Sequence, residues 1–189
     1  MLRNELKIAI RFTILTTVLL GILYPLAVTA FGHFFLRTQA EGGLIVTNGQ
    51  VTGSPLIGQN FTGDQYFHGR PSAAGNGYDA TSSGASNLAS SSQKLVTRID
   101  GDIARYAAEN EGQPVPIDLV TASGSGLDPD ISPAAAMFQA ESVANARHLP
   151  PATVRELVQR HVQGRQFGFL GEERVNVLLL NTDLDRLTH

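Results

Sequence analysis

The sequence predicts an α+β protein: a single N-terminal transmembrane helix followed by one extracytoplasmic α+β domain. Three observations carry this reading. Residues 12–36 contain no Lys, Arg, Asp or Glu. The eleven residues before them carry Arg3, Lys7 and Arg11 against Glu5 alone. Residues 37–189 mix tight-turn signals and short Val/Ile/Leu runs with apolar stripes at helical spacing, the pattern of segregated strands and helices in one domain.

Composition limits the chemistry. The chain has 189 residues, apolar content of 42% and net charge −3. That is enough apolar material for one core, with no global basic field for nucleic acid. Cysteine is absent, which excludes disulfide scaffolds, thiolate metal sites and thiol nucleophiles. The charge is uneven. The body after residue 36 holds 11 of the 14 basic and 16 of the 17 acidic side chains, and is mildly acidic.

Residues 12–36 read FTILTTVLLGILYPLAVTAFGHFFL. As an α-helix they rise about 37 Å, more than the roughly 30 Å hydrocarbon core of a bilayer. Threonines are tolerable there because their hydroxyls bond back to the preceding turn. Tyr24-Pro25 removes one backbone bond in mid-span and predicts a kink. A buried core helix rarely lacks charge over such a length. A cleaved signal peptide would find a small-residue site at Val28-Thr29-Ala30, yet its apolar region normally runs only about 7–15 residues. The segment reads as an uncleaved span. The basic residues before it place residues 1–11 in the cytoplasm and 37–189 outside it.

In the body, Leu44-Ile45-Val46 and Val51 flank Asn48-Gly49, a strong two-residue hairpin signal. Residues 69–92 are rich in Ser and Gly and interrupt the body as a large surface loop. A helix begins near Ser92, with Leu95, Val96, Ile99, Ile103 and Tyr106 at helical spacing. Residues 114–120 read as a short strand. Ser132-Pro133 supplies an N-cap and a proline at the first helical position, and Ala136, Met137, Ala140, Val143 and Ala144 form one face of the helix that follows. A second helix starts at Pro151, its stripe formed by Val154, Leu157, Val158 and Val162. Residues 174–181 (RVNVLLLN) read as a strand, and Leu184 with Leu187 as a short final helix.

Conventional catalysis is not visible. There is no Gly-x-Ser-x-Gly elbow and no Gly-x-x-x-x-Gly-Lys-Ser/Thr loop, and no His-x-x-x-His pair. His148 and His161 read as surface helix positions. Three places stand out. Gly58–Phe61 followed by Tyr66-Phe67-His68-Gly69-Arg70-Pro71-Ser72 would shape a rigid loop that meets a partner, or simply pack aromatics at a turn. Ser123-Gly124-Ser125-Gly126 would offer backbone N–H groups to an anion, but Asp128 and Asp130 follow and oppose one. They would suit a cation instead, or a structured turn feeding the Ser132 cap. Gln139 is a lone amide beside Ala140; most such glutamines are solvated or cap a neighbour.

Residues 53–72 (GSPLIGQNFTGDQYFHGRPS), 83–88 (SGASNL), 119–139 (LVTASGSGLDPDISPAAAMFQ), 143–149 (VANARHL) and 175–185 (VNVLLLNTDLD), with Tyr24-Pro25-Leu26 in the span, together resemble the KdpC family. This family is the small subunit of the bacterial potassium-importing P-type ATPase. FHGRPS combined with SGLD-x-x-I-Ser/Thr-Pro is specific; either alone is weak. Leu179 departs from the family pattern, which has a polar residue there, and Asp183 departs where an apolar residue is usual.

The resemblance implies a non-catalytic, single-pass subunit of the bacterial cytoplasmic (inner) membrane. The implied partners are a channel-like potassium-conducting subunit, the ATP-hydrolysing P-type subunit and a very small accessory subunit, with no nucleic acid. Potassium would be the cargo of the complex. No cofactor is expected to bind firmly. The family is described as a catalytic chaperone that raises ATP affinity. The nucleotide motif would then fall on Ser123, Gly124, Ser125, Gly126 and Gln139, and partner contacts on Tyr24, Pro25, Phe67, His68, Arg70, Asp128 and Asp130. The extracytoplasmic placement conflicts with a direct ATP contact. The rival expectation is a secreted or anchored ligand-binding or adaptor domain unrelated to a pump.

Overall fold

The computed structural model describes residues 2–47, 49–110 and 112–187. Two compact units divide at Leu44: Met1–Leu44 and Ile45–His189.

In the first unit one continuous helix, Leu2–Phe35, is long and apolar enough to cross a membrane, and none of its most apolar window is buried in the chain. It comprises α1 (Leu2–Thr16), a π-helical stretch (Thr17–Leu23) and α2 (Tyr24–Phe35). The helix therefore extends ten residues further toward the N-terminus than the charge-free segment. The expected disturbance at Pro25 takes the form of the π-helical turn before it. Proline has no N–H to give the Gly21 carbonyl, and its ring crowds that carbonyl. Widening the helix relieves the crowding, and the Tyr24 N–H bonds five residues back, to Leu19. One further turn, α3 (Arg37–Ala40), closes the unit.

The second unit opens with a hairpin, β1 (Ile45–Thr47) and β2 (Gln50–Gly53), antiparallel with Thr47 opposite Gln50. Gly49 has φ +77°, the left-handed conformation a two-residue turn requires; Asn48, its expected partner, lies outside the described residues. No helix or strand occurs between Ser54 and Ser92. Helix α4 (Gln93–Glu109) follows, but of its expected stripe only Tyr106 is buried, while Val96 and Ile103 are 42% and 40% exposed.

The strand expected at 114–120 is instead an extended turn into a 3-10 helix, Ile117–Leu119. Pro114 and Pro116 remove two ladder donors in alternate positions, and the segment uses the turn to sink Leu119 into the core. β3 (Asp130–Ile131) leads to the Ser132 cap, whose hydroxyl accepts from the Ala135 N–H, and to α5 (Pro133–Ala146). α6 (Pro151–His161) starts on a proline, as expected. β4 (Val162–Gln163) and β5 (Arg174–Asn176) complete a three-stranded antiparallel sheet in the order β3-β5-β4. Val175 faces both Ile131 and Val162.

The run 174–181 is a strand for three residues only. Asn176 turns its side chain to accept the Leu179 N–H and caps α7 (Val177–Arg186). A side-chain cap thus ends the strand inside a run whose Val and Leu content favours β structure. The core lies between this sheet and helices α5, α6 and α7, and includes Phe67, Tyr106, Leu119, Ala136, Ala140, Val143, Val158, Val175, Leu180 and Leu184. Ala140 and Ala144, one turn apart and both fully buried, let α5 approach α6 closely. His161, at the end of α6, is drawn inward to bond Asp183 at 3.0 Å, and Asp183 also meets Arg186 at 2.6 Å. His148 lies in the turn after α5 with φ +56°, not on a helix.

Candidate functional site

The three sequence segments singled out above converge on one face of the core. The centre is the backbone of Phe67 and His68, which belongs to no strand yet is bonded as if it did. Asn181 of α7 accepts the Phe67 N–H at 2.9 Å and donates to the Phe67 carbonyl at 2.9 Å. Gln139 of α5 accepts the His68 N–H at 2.8 Å and donates to the His68 carbonyl at 3.1 Å. Each primary amide presents one donor and one acceptor, the complement of a peptide group. Two helices thereby supply what neighbouring strands would supply in a sheet.

Both amides are buried, Gln139 to 4% exposure and Asn181 to 1%. The expectation of a solvated Gln139 is corrected: its helix face is closed by the incoming 67–68 segment. Phe67 is corrected likewise. It is fully buried in the core and offers no surface to a partner. Arg147 fastens the same segment from the end of α5, donating to the Gln65 carbonyl, pairing with Asp185 and lying over the Tyr66 ring.

Arg70 extends the cluster. Its guanidinium meets Asp128 at 3.0 Å and both the carbonyl and hydroxyl of Thr121, at 3.3 and 3.4 Å. Asp130 pairs with Arg174 at 3.1 Å and accepts from Asn176 at 3.1 Å. Burial holds the Asp130 carboxyl above its ordinary range; nearby Asp128 adds to this, and Asn176 and Arg174 oppose it. These groups line a groove of about 740 Å³ whose walls mix Arg70, Arg165 and Arg174 with Asp118, Asp128 and Glu173. Among the described residues no three His, Asp or Glu side chains gather closely enough to hold a metal ion.

The Ser–Gly segment is bound inward. Ser123 Oγ accepts the Gly126 N–H at 2.9 Å, and Ser125 Oγ accepts the Leu127 N–H at 3.1 Å. The Ser125 carbonyl receives the Gly84 N–H at 2.8 Å and the Ser83 hydroxyl at 3.0 Å. The Gly126 carbonyl receives the Ser72 hydroxyl at 2.6 Å. Gly126 has φ +67°, and a Cβ there would lie 2.6 Å from both the Ala74 nitrogen and the Gly84 carbonyl oxygen. Gly124 has open space around it. The segment is a clasp that seats the 69–92 loop on the body. That loop is accordingly more than a surface excursion: Ala74 within it is fully buried.

Tyr78 locks the clasp. Its N–H bonds Ser72 Oγ at 2.7 Å and its hydroxyl donates to the Arg70 carbonyl. Burial, with smaller contributions from Tyr106 and Asp128, pushes the phenol up to about 12; Arg70 opposes the shift. An acid whose folded pKa lies above its unfolded value loses stabilising power as pH rises between the two. Stability is therefore expected to fall from about pH 10 to about pH 12, with Tyr78 ionising late. Ultraviolet titration of wild type against Tyr78→Phe checks this; the late step disappears in the variant.

Tyr24 and Pro25 lie in the apolar helix of the first unit, where Tyr24 is 64% exposed. Asn181 and Arg147 carried no motif signal of their own, although both fall within segments that resemble the family.

Comparison with known proteins gives one consistent result. The KdpC family model, described as K+-transporting ATPase, c chain, matches residues 6–186. A potassium-transporting ATPase KdpC subunit from Acidobacterium capsulatum is 56% identical over 185 residues, covering 97% of this chain and 99% of that one. The KdpC subunit from Koribacter versatilis is 50% identical over 184 residues, covering 97% and 95%. That from Caulobacter vibrioides is 54% identical over 172 residues, covering 90% and 87%.

Proposed function

This chain belongs to the KdpC family, and from that premise we propose that it assembles and stabilises a potassium-importing ATPase complex without catalysing a reaction itself. The apolar helix anchors it in the cytoplasmic membrane, packed on the potassium-conducting subunit. The body lies on the extracytoplasmic side near the outer mouth of that subunit. Any effect on ATP affinity of the hydrolysing subunit then crosses the membrane as a coupling free energy, typically about 1–3 kcal/mol. A mildly acidic body modestly raises potassium nearby, within a screening length of about 8 Å.

One observation carries the reading. The polar groups of Ser123, Ser125 and Gly126 and the amide of Gln139 are used in holding the fold together. A nucleotide would have to displace those bonds. The family's Ser–Gly motif is read here as a structural clasp, and its influence on the pump as an effect of a correctly folded body.

The purified complex tests this. Ser123→Ala with Ser125→Ala removes the hydroxyl acceptors of the Gly126 and Leu127 N–H groups and is expected to lower the melting temperature while leaving the apparent KM for ATP within about twofold. A KM raised on the order of tenfold at unchanged thermal stability would make the motif a nucleotide ligand.

A further inference from the structure

A smaller cleft, of about 250 Å³, opens where α4 meets the stretch 60–78. It shares only Arg70 with the groove of about 740 Å³. Drug-sized ligand sites run to roughly 300–1,000 Å³, so this cleft suits a smaller molecule. Asp102, Arg105 and Tyr106 line it from the helix, and Phe61, Arg70 and Pro71 from the facing segment.

The charges along these walls do not balance. Among the described residues Asp102 is the one acid lining the cleft, and Arg98 already holds it at 3.2 Å. Arg70 is matched by Asp128 at 3.0 Å. Arg105 is left over: among the described residues it makes no ion pair and no hydrogen bond. Its guanidinium lies 4.5 Å over the ring of Tyr106, which is itself buried. Stacking uses the face of a guanidinium and leaves its N–H donors at the edge. It also holds the side chain in place, so less freedom is lost when a ligand binds.

A further donor nearby lacks an acceptor. Arg98, one turn from Asp102 on α4, keeps its Nε buried and unbonded. Arg70 uses three of its five N–H groups on Asp128 and Thr121. This edge of the body therefore offers more donors than acceptors. A group with two acceptor oxygens and one negative charge is the complement. A monocarboxylate cancels the single surplus charge, whereas a dianion would leave net negative charge beside Asp102. Phe61 and Tyr106, with the fully buried Leu119, give the rest of such a molecule an apolar wall.

We propose that this cleft binds a small organic monocarboxylate, its oxygens on Arg105 and Arg70 and its apolar or aromatic body against Phe61 and Tyr106. Every residue of the site belongs to the unit Ile45–His189. The proposal therefore stands apart from the role of the chain in a pump.

The test uses the full chain in lipid nanodiscs and follows para-fluorobenzoate by fluorine NMR, with empty nanodiscs as the blank. The proposal predicts saturable binding, and none for para-fluorobenzamide, which keeps the ring and lacks the charge. Arg105→Gln should weaken binding on the order of tenfold or more, the worth of a charged hydrogen bond. That variant should melt with wild type, because the side chain is exposed. Arg155→Gln, on the surface outside the cleft, should bind as wild type does. Lack of saturable binding to wild type overturns the proposal. So does equal binding of the amide, which would make the cleft an apolar hole, or equal binding by Arg105→Gln. Displacement by equimolar sulfate, or an equal loss in Arg155→Gln, would mean unselective attraction to basic surface and overturns it as well.

Discussion

Asn181→Ala is expected to lower the unfolding free energy by roughly 3–5 kcal/mol. Asn181 is 1% exposed and satisfies both backbone groups of Phe67, itself fully buried. Alanine leaves an N–H and a C=O in the core without partners, and each costs about 1–3 kcal/mol. Losing the side-chain volume adds a small cavity. Denaturant unfolding followed by circular dichroism measures the change.

Asn181→Asp separates the bonds. The carboxylate still accepts the Phe67 N–H but turns an oxygen, not an N–H, toward the Phe67 carbonyl. The variant should regain part of its stability in acid, where a protonated carboxyl can donate again. Gln139→Ala should cost less than Asn181→Ala because His68 is only half-buried. Equal stability of Asn181→Ala and wild type would contradict the clamp.

Gly126→Ala is the second large effect, on the order of 3–4 kcal/mol. The left-handed φ of +67° costs about 1–2 kcal/mol for a residue with a Cβ. The rest comes from the clash: the Cβ would sit 2.6 Å from two backbone atoms, which no rotamer change relieves. The 69–92 loop must lift away, breaking the Ser72 bond to the Gly126 carbonyl and the Gly84 bond to Ser125. Protease should then cut the loop at concentrations that leave wild type intact. Gly124→Ala is the internal control. It has an ordinary φ and nothing within 4 Å, so it should change stability by no more than about 0.5 kcal/mol. The same Ser–Gly motif thus contains one glycine the fold needs and one it does not.

Local signals in the sequence were sound where the structure is local. The charge-free helix, the hairpin at Gly49, the Ser132-Pro133 start and the α5 and α6 stripes depend on residues within a turn or two of each other. Single residues override local propensity elsewhere. At 174–181 the Val/Leu run favours β structure, while the cap from Asn176 decides otherwise. At 114–120 the prolines denied a ladder, and Leu119 was buried through a turn.

The clamp was half legible. Gln139 is a lone amide with no local sign of burial, because the segment that buries it lies 71 residues away in sequence. Asn181 meets Phe67 across 114 residues and stood inside an apparent strand. Its burial is a tertiary fact with no periodic signature. The exposed Phe167 and Phe169 are too few to show any periodicity, and hydrophobicity alone would have put them in the core. Leu179 and Asp183 sit on α7, where Asp183 finds charged partners in His161 and Arg186.

The clasp and the body are expected to lie outside the cytoplasm, away from ATP. The chain has no cysteine of its own, and Gly124 is exposed with room for a side chain. Gly124→Cys therefore places a single reporter in the disputed motif at little structural cost. Intact cells carrying the assembled complex are treated with a membrane-impermeant maleimide, and a second sample is treated after the inner membrane is opened. Labelling in the first sample, equal to that in the second, is the predicted result. Labelling only after the inner membrane is opened would put the motif in the cytoplasm and contradict the account.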